Sequence, residues 1–271
     1  MFPDGTGPSA DPAGSHHERR IRSFQPRRSR VTAGQRAALQ RLWPRWGFDI
    51  DGMRRLDLDE LFAEPEEPGL EPRVPDQVPE QGPGRAVPAQ PARRPARPVV
   101  LEIGFGMGEA TAEMAAAEPD TGILAVDVHT PGQGNLLRLA DERGLTNIRV
   151  GNGDAIILLR EMLAPDSLSG LRVYFPDPWP KKRHHKRRLI QPEFLDLVAG
   201  PLRSGALVHC ATDWEPYAEQ MLDVLSRHPA FENTQLDGGF APRPDVRPRT
   251  RFEEAGLEKG HKVRDLLFRR R

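Results

Sequence analysis

The chain has a single cysteine, Cys210, among 271 residues. It can close no internal disulfide and no metal centre built on several thiolates, so it reads as a small buried residue on a strand, in a reducing compartment. Tyrosine is nearly absent, with two copies, and a hydrophobic fraction of 37% is low for a chain that packs throughout. No apolar run approaches the roughly 20 residues of a membrane span. The opening stretch, MFPDGTGPSADPAG, lacks the basic-then-apolar order of a secretory signal. The expectation is a cytoplasmic protein without membrane contact. Net charge is missing as well, since 39 Lys and Arg balance 39 Asp and Glu. Bulk charge then offers no general attraction to nucleic acid or an anionic surface, and any such partner must be held by local patches.

Proline, by contrast, is plentiful, and more than half of the 28 copies precede Val99. Residues 1–21 carry too little apolar surface to offset ordering entropy and read as a disordered tail. Residues 22–62 read as a basic N-terminal arm with short helices. Thr32 is placed to cap a helix that carries Ala37, Leu39, Leu42 and Trp43 and ends before Pro44. LDLDELF, at 56–62, is a second short helix. Residues 63–98 form a Pro-rich acidic linker, expected to be flexible.

From residue 99 to 271 short apolar runs alternate with helical patterns, the signature of an α/β domain with a mostly parallel sheet and helices on both faces. The expected strands are VVLEIG (99–104), GILAVDV (122–128), NIRVGNGD (147–154), LRVYFPD (171–177), ALVHCATD (206–213) and KVRDLLF (262–268). Helices fall on GEATAEMAAAE, GNLLRLADERG, DAIILLREML, PEFLDLVAGPL and EPYAEQMLDVLSR. Each of the first five strands ends in Gly or Asp, which gathers polar groups at the edge where open α/β sheets bind ligands.

The first of these strands runs into LEIGFGMGEAT, with Gly104, Gly106 and Gly108. Glycines here permit a tight turn and close approach of a ligand to the backbone. The spacing is GxGxG, and Glu109 occupies the place of the dinucleotide fingerprint's third glycine, where a carboxylate would oppose a pyrophosphate. That argues against a nicotinamide dehydrogenase. Glu102, before the glycines, argues for a ligand that carries an ammonium or sulfonium. The E-x-G-x-G-x-G pattern resembles motif I of the Rossmann-like S-adenosylmethionine methyltransferases. On that resemblance Glu102 reaches the cofactor's amino group, Asp127 takes the ribose hydroxyls and Asp154 lies against the adenine.

After the fourth strand comes FPDPWPKKRHHKRR, residues 175–188, an acid among prolines followed by six Lys or Arg in eight positions. DNA amino methyltransferases use an Asn or Asp, two prolines and an aromatic at this place, so chemistry aimed at a base edge is plausible for Asp177, Pro178, Trp179 and Pro180. Trp179 either stacks on a base or packs under the loop. The stretch FPDPWPKKRHHKRRLIQPEFL, together with LEIGFGMGEAT, HCATDWEPYAEQML and RPRTRFEEAGLEKGH, closely resembles the bacterial tRNA (guanine-N7-)-methyltransferase family, and the likeness extends weakly to RSFQPRRSRVTAGQ. It departs from the family pattern at Pro180, Lys182 and His185.

The resemblance implies a Rossmann-like class I methyltransferase with a seven-stranded sheet, S-adenosylmethionine as cofactor, tRNA as partner and 7-methylguanosine at position 46 of the variable loop as product. It implies cofactor contacts at Glu102, Gly104, Gly106, Gly108, Asp127, Asp154 and Asp177, the last also catalytic. Substrate contacts fall on Lys181, Asp213, Thr250, Arg251, Phe252 and Glu253, and RNA contacts on Arg183, His184, His185, Lys186, Arg187 and Arg188. Apart from the resemblance, no metal is expected, because His184 and His185 have no third ligand nearby in sequence, and the chain is expected to be a monomer or homodimer.

Elementary chemistry agrees. Guanine N7 carries a lone pair and no proton, so methylation needs no base to free the nucleophile. The product ring is cationic, and a nearby carboxylate stabilises the growing charge. Asp177 can do this while accepting from guanine N1 and N2 hydrogens or steadying the cofactor. Asp213 and Glu253, as pure acceptors, suit guanine's adjacent donors. The Lys181–Arg188 run suits phosphates, and the late arginines Arg243, Arg247, Arg249, Arg251 and Arg269–Arg271 extend that surface. An amino methyltransferase and a non-catalytic RNA-binding protein on the same fold are the alternatives.

Overall fold

The computed structural model describes residues 30–63, 97–258 and 260–271; the tail, the start of the arm and nearly all of the linker lie outside these. Eight strands form one mixed sheet: β1 (Gly47–Asp49), β2 (Val99–Ile103), β3 (Gly122–Asp127), β4 (Ile148–Asn152), β5 (Leu168–Tyr174), β6 (Leu202–Thr212), β7 (Phe231–Asn233) and β8 (Arg264–Arg270). Their order is β1-β4-β3-β2-β5-β6-β8-β7. The first six in that order run parallel. β8 runs antiparallel to both its neighbours. The six strands expected from the sequence are present with shifted ends, and β1 and β7, of three residues each, are additional.

Helices α1 (Ala33–Trp46), α3 (Glu109–Ala117) and α4 (Thr130–Glu142) cover one face. The other face carries α2 (Leu58–Phe62), α5 (Ala155–Ile157) with a π-helical turn at Leu158–Met162, α6 (Pro192–Ala199) and α7 (Glu215–Arg227). The strands feed both cores by alternation: Ile123 and Ala125 of β3 face the first group, Leu124 and Val126 the second. A last helix, α8 (Arg251–Glu258), precedes β8.

One expectation about the arm is corrected. Thr32 caps the helix as expected, in a full capping box, with the Gln35 amide donating to Thr32 Oγ1 (3.3 Å) and the Thr32 amide to Gln35 Oε1 (2.9 Å). The helix does not stop before Pro44, however; it continues to Trp46. Proline so near the end forfeits few helix bonds, and burial of Trp46 to 5% exposure offsets them. Gln35, Ala38, Leu42 and Trp46 form the buried face, with Leu39 and Trp43 packed partly buried at its margin, while Ala37 is exposed. Parts of the arm also pack with the elements that follow Val99. β1 extends the sheet past β4, and α1 lies so close to α4 that a Cβ on Gly134 would stand 2.7 Å from the Gln35 carbonyl oxygen.

Candidate active site

The parallel strands end at one edge, and most of the residues singled out from the sequence meet there. β2 delivers Glu102 and then the glycine loop. Gly104, Gly106 and Gly108 all have φ between 61° and 81°, conformations that a side chain strains. Open space surrounds the Cβ positions of Gly104 and Gly106, so the loop offers bare backbone to a ligand, whereas a Cβ on Gly108 would meet Leu136 Cβ at 2.7 Å. Asp127, closing β3, fixes this loop. One oxygen accepts from the Gly106 amide and the other from the His129 amide, each at 3.0 Å. Gln133 of α4 donates to the Asp127 carbonyl (2.6 Å) and to Asn152 (3.0 Å), which in turn donates to Asp49 of β1 (3.0 Å). Asp154 caps α5 by accepting from the Ile156 amide at 3.0 Å.

Glu102 is 3% exposed, and its Oε2 has no hydrogen-bond partner. Burial pushes its pKa up to about 7; Arg172 and the Thr111 hydroxyl oppose the shift and the Asp127 charge adds to it. Arg172 is the cross-strand neighbour of Glu102 but points its Nη2 at Glu118, at 2.7 and 2.9 Å. A buried carboxylate with an unused oxygen beside bare loop backbone is an acceptor for a cationic group.

After β5 the chain passes through FPDPWP. Phe175 (φ 49°) and Trp179 (φ 46°) sit in the left-handed region on either side of half-buried Asp177, a strain of the kind stored at functional sites. Trp179 packs against the basic segment, edge-on to His184 (5.7 Å between centroids) and under the Arg187 guanidinium at 5.0 Å. Lys181, Arg183, Lys186 and Arg187 are exposed, His184 and His185 partly so, around a 3-10 turn at Lys182–Arg187. Arg188 departs from the expectation. It is 2% exposed and turned inward, bonded to Pro178, Pro216 and Gln220, so it presents nothing to RNA phosphates.

Asp213, after β6, pairs with His261 at 3.0 Å. Thr250 accepts from the Glu253 amide (3.0 Å) and starts α8; Arg251 and Phe252 open that helix, and their side chains lie outside the described set. Glu253 is not free to read a base edge as expected. Its carboxylate, 2% exposed, is bidentate with Arg247 at 2.6 and 3.0 Å. Arg247, expected on the RNA surface, is 1% exposed and also grips Asp265 at 2.7 and 3.0 Å. Asp265 meets His209 Nε2 (2.7 Å), whose Nδ1 faces the Tyr174 hydroxyl (3.0 Å). Burial holds His209 below the usual histidine range against the pull of Asp265. Despite its own burial, Asp265 is held below the usual carboxylate range by the bonds from His209 and Arg247. Sequence gave no sign of this network beyond the charges themselves. Cys210 lies fully buried on β6, its thiol pushed up to about 12 by burial. Among the described residues no His, Cys, Asp and Glu cluster is placed to hold a metal ion, and no helix is long and apolar enough to cross a membrane.

A family model described as "Putative methyltransferase" matches residues 96–266. The chain is 72% identical to the tRNA (guanine-N(7)-)-methyltransferase of Streptomyces avermitilis over 99% of this chain and 81% of that one. It is 49% identical to the protein of the same name from Burkholderia vietnamiensis, over 100% and 92%. Among solved structures, the 16S rRNA methyltransferase KamB aligns with 64% of this chain and 88% of its own, at 17% identity and a TM-score of 0.48.

Proposed function

Because the chain belongs to the tRNA (guanine-N(7)-)-methyltransferase family, we propose that it methylates N7 of a variable-loop guanine of tRNA, at position 46, using S-adenosylmethionine, in the cytoplasm. The observation that carries this reading is the unused oxygen of buried Glu102 beside an open glycine loop, on the same sheet edge as the Asp177 loop and the basic turn. These residues suit the cofactor. Glu102 supplies an acceptor for its ammonium, the bare backbone at Gly104 and Gly106 admits it, and Asp127 and Asp154 stand at the ends of the next two strands for ribose and adenine. When bound, S-adenosylmethionine supplies a methyl group made electrophilic by its sulfonium.

The chain's own residues then have separable tasks. Asp177 lies where the guanine must enter and stabilises positive charge as it develops on the ring. No base is required, since N7 has no proton to lose. Asp213 accepts from the guanine N1 and N2 hydrogens and so disfavours adenine, which lacks that donor pair. Glu253 acts one step back, through Arg247. Lys181, Arg183, Lys186 and Arg187 hold backbone phosphates.

The test is transfer of labelled methyl to unmodified tRNA, with the product mapped by aniline cleavage. Wild type should give cleavage at one variable-loop guanine, and Asp177→Ala should lower the rate by on the order of 100-fold or more. A methyl on an exocyclic nitrogen would overturn the assignment to N7. Cofactor binding without transfer would leave an RNA-binding protein.

A further inference from the structure

We infer that Arg188, the last cation of the basic run, is a positioning residue that clamps the Asp177 loop onto α7, and not an RNA contact. The inference rests on the reading of that loop as the site of methyl transfer. Three of the five residues Pro176–Pro180 are proline, so the segment has few amide donors with which to hold its own shape. It also carries left-handed backbone at Phe175 and Trp179, which needs outside support to persist.

Arg188 gives that support from below. Its Nε donates to the Pro178 carbonyl at 2.8 Å, directly after Asp177. Its Nη1 donates to Gln220 Oε1 (2.5 Å) and to the Pro216 carbonyl (3.4 Å), both on α7. The guanidinium lies over the Tyr217 ring, 4.7 Å from its centroid. Tyr217 in turn accepts from the Ile190 amide (3.1 Å), and Gln220 donates to the Ile190 carbonyl (3.4 Å), so the exit of the basic segment is tied to the same helix. All three of these acceptors are neutral oxygens on two different chain segments. A planar fork with five donors can serve them together; the single ammonium of lysine cannot match that geometry. At 2% exposure the group cannot also reach a phosphate. One residue earlier, Arg187 points outward over Trp179. The run therefore divides between an outer set that meets RNA and an inner residue that sets the height and tilt of the loop.

Three variants separate the roles, and a fourth, Gln220→Glu, tests rescue. Arg188→Met removes the fork but keeps an unbranched stem, Gln220→Leu weakens the clamp from the α7 side, and Arg187→Ala removes an outer charge. Steady-state kinetics across a salt series and amide exchange at Asp177, Trp179 and Lys181 are the readouts. For Arg188→Met, kcat should fall by on the order of 100-fold. KM for tRNA and its salt slope should stay at wild-type values, and exchange at the three amides should speed up. Gln220→Leu should move the same readouts in the same direction, less far, and Gln220→Glu, which keeps the oxygen facing Arg188 but loses the 3.4 Å donor to Ile190, should recover most of the loss. Arg187→Ala should instead raise KM and lower the salt slope by about 1. A slope lowered in Arg188→Met with kcat kept would make Arg188 a phosphate contact and overturn the inference, as would unchanged exchange. If Arg188→Met does not fold, Gln220→Leu carries the decision by the same criteria. If wild type transfers no methyl to tRNA, the functional reading fails, and the exchange data still decide whether Arg188 holds the loop.

Discussion

Glu102 would titrate near 4.5 in an unfolded chain and titrates near 7 when folded. Between those values the folded protein holds a proton that the unfolded chain has released. Its contribution is therefore intact below about 4.5 and declines as pH rises, reaching a deficit of roughly 3 kcal/mol above 7. Urea denaturation of the ligand-free protein at pH 5 and pH 8 should show wild type losing up to that much relative to Glu102→Gln, which has nothing to titrate. Arg172 and Asp127 face the same carboxyl and are common to both proteins, so the difference isolates Glu102. A cationic ligand reverses the preference, because it binds the ionised form. Affinity for S-adenosylmethionine, measured by calorimetry, should thus rise about fivefold from pH 6 to pH 7 and stay flat over that interval in Glu102→Gln. A flat wild-type profile would mean that the buried carboxylate does not meet the ammonium.

The glycine loop depends on the helix behind it as much as on its own sequence. Gly132, in the first turn of α4, approaches so closely that a Cβ there would stand 1.8 Å from the Gly106 carbonyl oxygen and 3.1 Å from His129 Nδ1. Neither backbone can yield without moving the amide that Asp127 holds. Gly132→Ala should therefore cost about 1–3 kcal/mol of stability and weaken S-adenosylmethionine binding by more than about tenfold, whereas Gly200→Ala, with open space around it, should change binding little. The sequence shows the glycines of the loop, since they follow a strand at once, but not Gly132, whose partner lies 26 positions away. The same logic governs the rest of the fold. Strands such as Val99–Ile103 are legible because five successive buried residues leave a local signal, while β1 and β7 are too short to show a period and exist through pairing with β4 and β8. Arg188, Arg247 and Glu253 look like any solvated charge in sequence. Their burial is set by Gln220, Asp265 and each other, which only the folded chain brings near.

Taken across the molecule, the buried ionic network joins parts that would otherwise meet only through the sheet. Arg247 connects Glu253 on α8 with Asp265 on β8, and through His209 on β6 reaches Tyr174 at the end of β5, next to the Asp177 loop. α8 and the Asp177 loop are thereby held in one frame. Such a network contributes little net stability when complete, because desolvation offsets its attraction, but removing its cation leaves two buried carboxylates unbalanced. Arg247→Met should accordingly lower unfolding free energy in urea by about 3–5 kcal/mol. The exposed pair of Arg41 and Asp141, at 67% and 35% side-chain exposure, provides the contrast, and Arg41→Ala should cost no more than about 1 kcal/mol. If Arg247→Met proved as mild as Arg41→Ala, water would have to reach Glu253 and Asp265 freely. The C-terminal helix could not then be held rigidly against the loop, and Glu253 would become available to a substrate after all.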